Sequence, residues 1–445
     1  MRATRALFAA GAAACVLAAA CLPAEQQKTP ATTERPAPAR GGSVVFGVVG
    51  APATLDPYAP QASDLTYALV RPLYPSLYRF RPDGSTERYL ARSATRAGPD
   101  FVVTLRRSRW TDGSLITAHD VVSSARRARP ASGFAAFDRI RAAGRRKVAL
   151  RGSVPNPERA LATLAYVLPR GVAGRETGGP YRMRSFTRGL EIVYAAARRR
   201  WGPTPYLDRV TVRFVQSQGQ LLSLLEAGRI DAAAPLSAVN LADTLNEDVA
   251  LSSALGWESV VLDFAGSRLT RPERAAIAGA LDRREIETVF VRSDGRVADS
   301  VEPAPGASGA SGPWPAAIGR RRARPGAVEL SAPAGDELLE LIRRAAFTQI
   351  SAAGIEVNAL TVDSGTFYAG WDVGEDTDVA IRRRAGAPPW DRPRERVRAL
   401  DLFPLLHVET FVAWRHGLRG LAPNPTVEGP LWNMERWWRE PPDGG

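Results

Sequence analysis

RWTDGSLITAHDVVSSARR, residues 109–127, packs a turn and a helix start into one short stretch. Asp112-Gly113 is a tight-turn pair, because glycine takes a positive φ without steric cost. Thr117-x-x-Asp120 then stands before Val121, Val122 and Ala125, which is a capping-box-like opening for an amphipathic helix. Just upstream, Phe101–Leu105 reads as a strand leading into the turn.

The same pattern recurs on both sides. After Gly41-Gly42, SVVFGVV (43–49) is an apolar strand. Leu65, Ala68, Leu69, Leu73 and Leu77 within residues 63–80 have helical spacing, with Pro72 shortening or kinking the helix. VTVRFV (210–215) is a strand, Gln218–Ala227 a leucine-rich helix ended by Gly228, and Ile230–Ala234 a further strand. Thr270-x-x-Glu273 with Pro272 opens another helix, and residues 336–353 and 355–362 read as helix and strand. Residues 303–327, dense in Pro, Gly, Ser and Arg, read as a long surface loop or an eroded segment. Alternation of this kind predicts an α/β protein.

The chain has 445 residues, enough for two or three domains. Hydrophobic residues at 45% and charged residues at 24% exclude a disordered or collagen-like chain. The formal net charge is +13, and 57 of the 59 basic residues are arginine, Lys28 and Lys147 being the lysines. Such a charge taken alone suggests nucleic acid or an anionic surface. Arginine in this excess, beside abundant Ala, Gly and Pro, is also what a GC-rich genome produces, and most of the charge is read that way.

The N-terminus sets the compartment. Arg2 and Arg5 precede an uncharged run, Ala6–Ala20, which is too short to span a bilayer comfortably and sits where a secretory h-region belongs. Leu17-Ala18-Ala19-Ala20-Cys21 resembles a bacterial lipobox, implying cleavage before Cys21 and a diacylglyceryl group on its sulfur. The leucine stands one place further from the cysteine than the usual pattern has it, and a plain signal peptide is the alternative. Both cysteines, Cys15 and Cys21, fall in this segment, so the mature chain has no disulfide to form. Residues 22–40 read as a flexible tether, and no later run approaches 18 apolar residues. The expected product is exported and lipid-anchored to the outer face of the cytoplasmic membrane, with no nucleic-acid partner.

Residues 109–127 resemble the signature of the bacterial extracellular solute-binding proteins of family 5, the oligopeptide-, dipeptide- and nickel-binding components of ABC importers. Five more segments resemble the family in order: 41–58, 178–215, 221–235, 274–286 and 412–421. The resemblance implies a two-lobed periplasmic-binding-protein-like (type II) fold with mixed sheets and a hinge. Lobe one would take residues 41–255 plus 417–440, with an inserted subdomain at about 83–174, and lobe two residues 256–416. Such a protein closes around a solute and presents the closed state to a membrane permease and its ATPase. The Trp110-Asp112-Gly113 turn is scaffold in this reading.

Positional resemblance places Gln61, Ser63, Phe134, Trp257, Arg382, Arg383, Arg384 and Trp432 on the solute. Gln61 and Ser63 also suit the capping of a helix, and Phe134 and Trp257 also suit a core. Asp378-Val379-Ala380 resembles the strand that, in oligopeptide binders, leads to a loop with a carboxylate for the peptide amine. Here a loop bearing Arg382, Arg383 and Arg384 follows, and no carboxylate appears before Asp391. Three arginines in that place favour an anionic or amine-blocked, peptide-like solute.

Enzyme readings find no support. His119, His407 and His416 make no His-Glu-x-x-His pattern, and Gly-x-Ser-x-Gly and Gly-Lys-Ser/Thr are missing. No cofactor, metal or catalytic residue is expected, and the protein is expected to be a monomer. The alternative is a degenerate envelope lipoprotein that binds a structural or regulatory partner. The short stretch between Trp390 and Leu402, where relatives carry a further helical segment, and the 303–327 segment suit that alternative.

Overall fold

The computed structural model describes residues 37–128, 132–170, 176–197, 202–236, 241, 245–291, 295–298, 325–363, 366–367, 373–385 and 393–441. The chain divides into an N-terminal unit, residues 1–37, and a body, Pro38–Gly445. Cys21 and all but the last residue of that first unit lie outside the described residues, as do residues 299–324.

The strands are β1 (Ser43–Val49), β2 (Tyr78–Phe80), β3 (Thr86–Arg88), β4 (Ala91–Ala97), β5 (Asp100–Leu105), β6 (Arg139–Ala142), β7 (Lys147–Arg151), β8 (Tyr181–Thr187), β9 (Glu191–Ala196) and β10 (Arg209–Val215). They continue as β11 (Ala232–Leu236), β12 (Val249–Asp263), β13 (Gly295–Val297), β14 (Val328–Pro333), β15 (Val357–Val362), β16 (Val379–Ala385), β17 (Leu402–Arg415), β18 (Leu418–Arg419) and β19 (Trp438–Arg439). A long mixed sheet runs β15-β14-β16-β12-β17-β11-β1-β10-β9-β8, with β13 also on β17, and β4-β5-β7-β6 form a separate antiparallel sheet. This is the mixed α/β architecture that the alternation predicts.

Local chemistry accounts for the helices. Ser63 caps α1 (Asp64–Val70) reciprocally with Thr66, and the helix stops before Pro72, which has no N–H to continue it. In α2 (Ala118–Arg127) the Asp120 carboxylate reaches back to the N–H and hydroxyl of Thr117 at 2.7 and 2.8 Å. Glu273 does the same for Thr270 at the start of the helix Arg271–Gly279, 2.7 Å in each case. The strand expected at 230–234 lies at Ala232–Leu236 instead, because Asp231 joins the edge of β1, its carboxylate accepting from Val45 N.

Two large apolar cores flank the centre of the long sheet. The first gathers β1, the flanks of β8–β10, α1 and the hairpins, with Phe46 stacked on the fully buried Trp437 at 5.4 Å. It also holds a buried ion pair, Arg71 Nε to Glu428 at 2.7 Å, with the Arg71 guanidinium over the Tyr166 ring. The second is built on Val260, Leu262, Ile381 and Phe403 against Leu338, Leu339, Ile342 and Ile350 of the helix Glu337–Ala352. A smaller cluster packs the helix Gln218–Glu226 on β1, where a Cβ on Gly47 would stand 2.4 Å from Leu221 and 2.7 Å from Ile230.

Among the described residues, β12 and β17 run together along the sheet from the first side to the second. Their antiparallel register runs from Val249↔Arg415 to Leu255↔Glu409 on the first side, shifts, and resumes from Ser259↔His407 to Asp263↔Leu402 on the second. No helix among the described residues is long and apolar enough to cross a membrane.

Candidate functional site

The three consecutive arginines are not on a loop. They occupy β16, paired antiparallel to β12 with Arg382 opposite Val261, Arg383 opposite Val260 and Arg384 opposite Ser259. The loop expectation fails because the ladder to β12 continues through Ala385, so all three residues stay in the strand. A strand turns alternate side chains to opposite faces, so Arg382 and Arg384 share one face and Arg383 takes the other.

On its own face Arg383 forms a two-point ion pair with Asp336, Nε and Nη2 donating at 2.5 and 3.1 Å. Asp336 is also the N-cap of the helix Glu337–Ala352, accepting from Leu339 N at 3.1 Å. Burial alone would raise this carboxyl, but the Arg383 charge and these hydrogen bonds outweigh it and hold Asp336 below the ordinary carboxylate range. Arg383 thus ties β16 to a helix start.

The other face differs. Arg384, Ser259 and His407 stand abreast on β16, β12 and β17, immediately after the register shift between the two sides. Ser259 is fully buried and its Oγ lies 3.1 Å from His407 Nδ1, a hydrogen bond. One row further along, Arg382 Nε is 3.9 Å from Asp263, with its guanidinium over the Phe367 ring. Arg396, from the helix Pro393–Ala399, reaches the same Asp263 carboxylate at 3.5 Å. Asp263 also accepts from Ala265 N at 3.0 Å. Three guanidinium groups therefore gather around one carboxylate among the described residues. Burial first, then the positive charges of Arg396 and Arg382, push Arg384 down to about 10, with Asp263 opposing. An environment that disfavours a guanidinium proton is one in which an incoming anion would be stabilised.

The other residues expected at the solute are dispersed. Gln61 is exposed, and Ser63 serves as the α1 N-cap. Phe134 is 2% exposed inside the first core. Trp432 is buried with its Nε1 donating to Ala422 O at 3.0 Å and Arg79 stacked near its ring. Trp257 lies on β12 at the register shift, with its side chain outside the described residues. Asp263, Ser259 and Arg396 escaped the sequence reading, since strand pairing and a later helix bring them to β16. The available signal was the alternation of residues 379–385, which separates Arg383 from its neighbours. Of the histidines, His119 is exposed and His416 Nε2 bonds Glu247 O at 2.8 Å.

A family model for bacterial extracellular solute-binding proteins, family 5 Middle, matches residues 90–335. Among solved structures, the chain is similar to the oligopeptide-binding protein AppA from Bacillus subtilis in complex with a nonapeptide: TM-score 0.75, 16% identity, 91% of this chain and 100% of that one covered. It is also similar to the PBP AgaA from A. tumefaciens R10 in complex with agropinic acid, at TM-score 0.75 and 19% identity over 90% and 99% of the two chains. NikA from Staphylococcus aureus in complex with Ni(L-His)2 aligns at TM-score 0.71 and 15% identity over 89% and 100%. No curated protein sequence matches the chain.

Proposed function

Because the chain belongs to the bacterial extracellular solute-binding proteins of family 5, we propose that it is the solute-capturing lipoprotein of an ABC importer, specific for an anionic, peptide-like solute. Structurally similar proteins solved with a nonapeptide, agropinic acid and a nickel–histidine complex support a small, polar solute. The observation that carries the anionic preference is the shared face of Arg382, Arg384 and Arg396 around Asp263, with Arg384 pushed down to about 10.

The Arg384–Ser259–His407 row lies where β12 and β17 pass from one core to the other. In this reading the two cores are the lobes, the register shift is the hinge, and an anion held by Arg382 and Arg384 draws the lobes together. A carboxylate or phosphoryl group suits paired guanidinium forks better than an ammonium. The protein performs no chemistry on the solute. Export, an acyl group on Cys21 and delivery to a permease and its ATPase complete the proposal.

Isothermal titration with short acidic peptides, N-acetylated and with free amines, tests the solute class. The acetylated acidic peptides should bind best, and Arg384→Ala should weaken them about tenfold to a hundredfold, the loss of a charge-assisted hydrogen bond of about 1.5–3 kcal/mol. Equal binding by Arg384→Ala would remove this residue from the site. No binding by any peptide or peptide-like solute would overturn the ligand assignment.

A further inference from the structure

A second cationic face lies on the first side of the long sheet. In the register of β8, β9 and β10, Arg182 is opposite Ala195, which is opposite Arg209. Their chain neighbours Tyr181, Tyr194 and Val210 point into the first core, so this row points away from it. Ala195 between the two arginines is too short to cover either. Arg184, past a register irregularity in β8, and Arg109, from the turn before α2, join them around a cavity of about 840 Å³. Trp110 forms part of its wall, and the acidic groups on it are Asp112 and Asp208.

All four arginines are exposed, and none forms an ion pair with a described residue. Some other arginines are held by carboxylates: Arg141 and Arg151 share Asp100 at 2.7 and 2.8 Å, and Arg170 meets Asp120 at 2.9 Å. Arg109 donates to the Gly113 carbonyl, and four guanidinium groups against Asp112 and Asp208 leave the face net positive.

The chain also enters the body at this end. Gly41 N donates to Tyr206 O, and Gly42 O accepts from the N–H groups of Asp208 and Arg209, so the residues preceding β1 lie beside the cavity wall. Cys21 is 20 residues before Gly41. On the tether reading of residues 22–40, a segment of that length reaches about 25 Å on average. We propose that this face, built on Arg109, Arg182, Arg184 and Arg209, docks against the anionic phospholipid headgroups of the membrane to which Cys21 is tethered. Each arginine near such a surface contributes attraction, and a lipid anchor gains firmness from a second, basic contact. The entry argument rests on the lipid-tether reading; the charge argument is independent of it. Neither depends on the solute site.

Sedimentation of residues 38–445, a compact unit in their own right, with vesicles tests the proposal. The vesicles are mixed phosphatidylglycerol and phosphatidylcholine, or phosphatidylcholine alone. The unaltered body should bind the anionic vesicles, lose them at high salt and ignore the neutral ones. Arg182→Glu/Arg184→Glu/Arg209→Glu should bind about tenfold more weakly or worse. Arg92→Glu/Arg96→Glu/Arg139→Glu, which changes the net charge equally on exposed arginines of β4 and β6, should bind as the unaltered body does. Arg→Gln at the three patch positions provides a milder variant should the reversal impair folding, with thermal unfolding as the check. Equal loss in both charge-reversed variants would reduce the effect to net charge and overturn the proposal. So would no binding by the unaltered body, or saturable binding of soluble glycerol phosphate without vesicle binding. Arg384→Ala should leave vesicle binding unchanged, so the solute and membrane readings fail separately.

Discussion

Arg383 and Arg384 are adjacent in the chain and do different work. Arg383 holds Asp336 at a helix start, and Arg384 lies beside Ser259 and His407 near other positive charges. Asp336→Ala removes both a helix cap and the partner of Arg383, which should lower stability by about 2 kcal/mol at neutral pH. Because its folded pKa is depressed, Asp336 contributes stability that is present above the ordinary carboxylate range and lost as pH falls through the folded value. Urea unfolding of the variant and the original should differ at pH 7, and the difference should shrink as acidification passes below the ordinary carboxylate range. A constant difference across that range would show that the pair does not titrate with folding. The sequence marked these arginines as informative. It did not divide their roles, because that division depends on which face of a strand each one takes.

Elements whose ends are written locally were the readable ones. Thr117 with Asp120, Thr270 with Glu273 and Pro72 after α1 each place a helix boundary through contacts within a few residues. β12 and β17 were not readable. VALSSALGWESVVLD is not an alternating pattern, since this strand meets one environment before the register shift and another after it. Asp263, Ser259 and Arg396 were hidden for the same reason, being more than 100 residues or a whole helix away from the partners they meet. Packing between elements gives its own test at Gly47. Its absent Cβ lets the helix Gln218–Glu226 approach β1, and Gly47→Ala should lower stability by about 1–3 kcal/mol through overpacking against Leu221 and Ile230. Chemical denaturation reads this directly, and a neutral result would mean that both side chains can swing aside.

The C-terminal segment is bound to the body by charge as well as by packing. Arg71 is 4% exposed and Glu428 is fully buried, and Glu428 also accepts from Phe80 N at 2.9 Å. Burial pushes Glu428 upward against the pull of Arg71, so the pair is held together under tension. Glu428→Gln leaves a buried guanidinium without its counter-charge and should destabilise the protein by about 3–5 kcal/mol. Arg71→Met/Glu428→Leu should recover most of that loss in thermal unfolding, and a double variant as weak as the single would refute the pairing as the cause.

The β12–β17 ribbon carries a further consequence. The chain enters the second core along β12 and leaves it along β17, and past the register shift both strands lie inside the sheet, β12 between β16 and β17, and β17 between β12 and β13. The second core is therefore not a cassette clipped between loops. Grafting a relative's solute preference onto this body cannot be done by joining at surface turns. The transplanted piece must bring both halves of the ribbon, or the recipient sheet loses its middle.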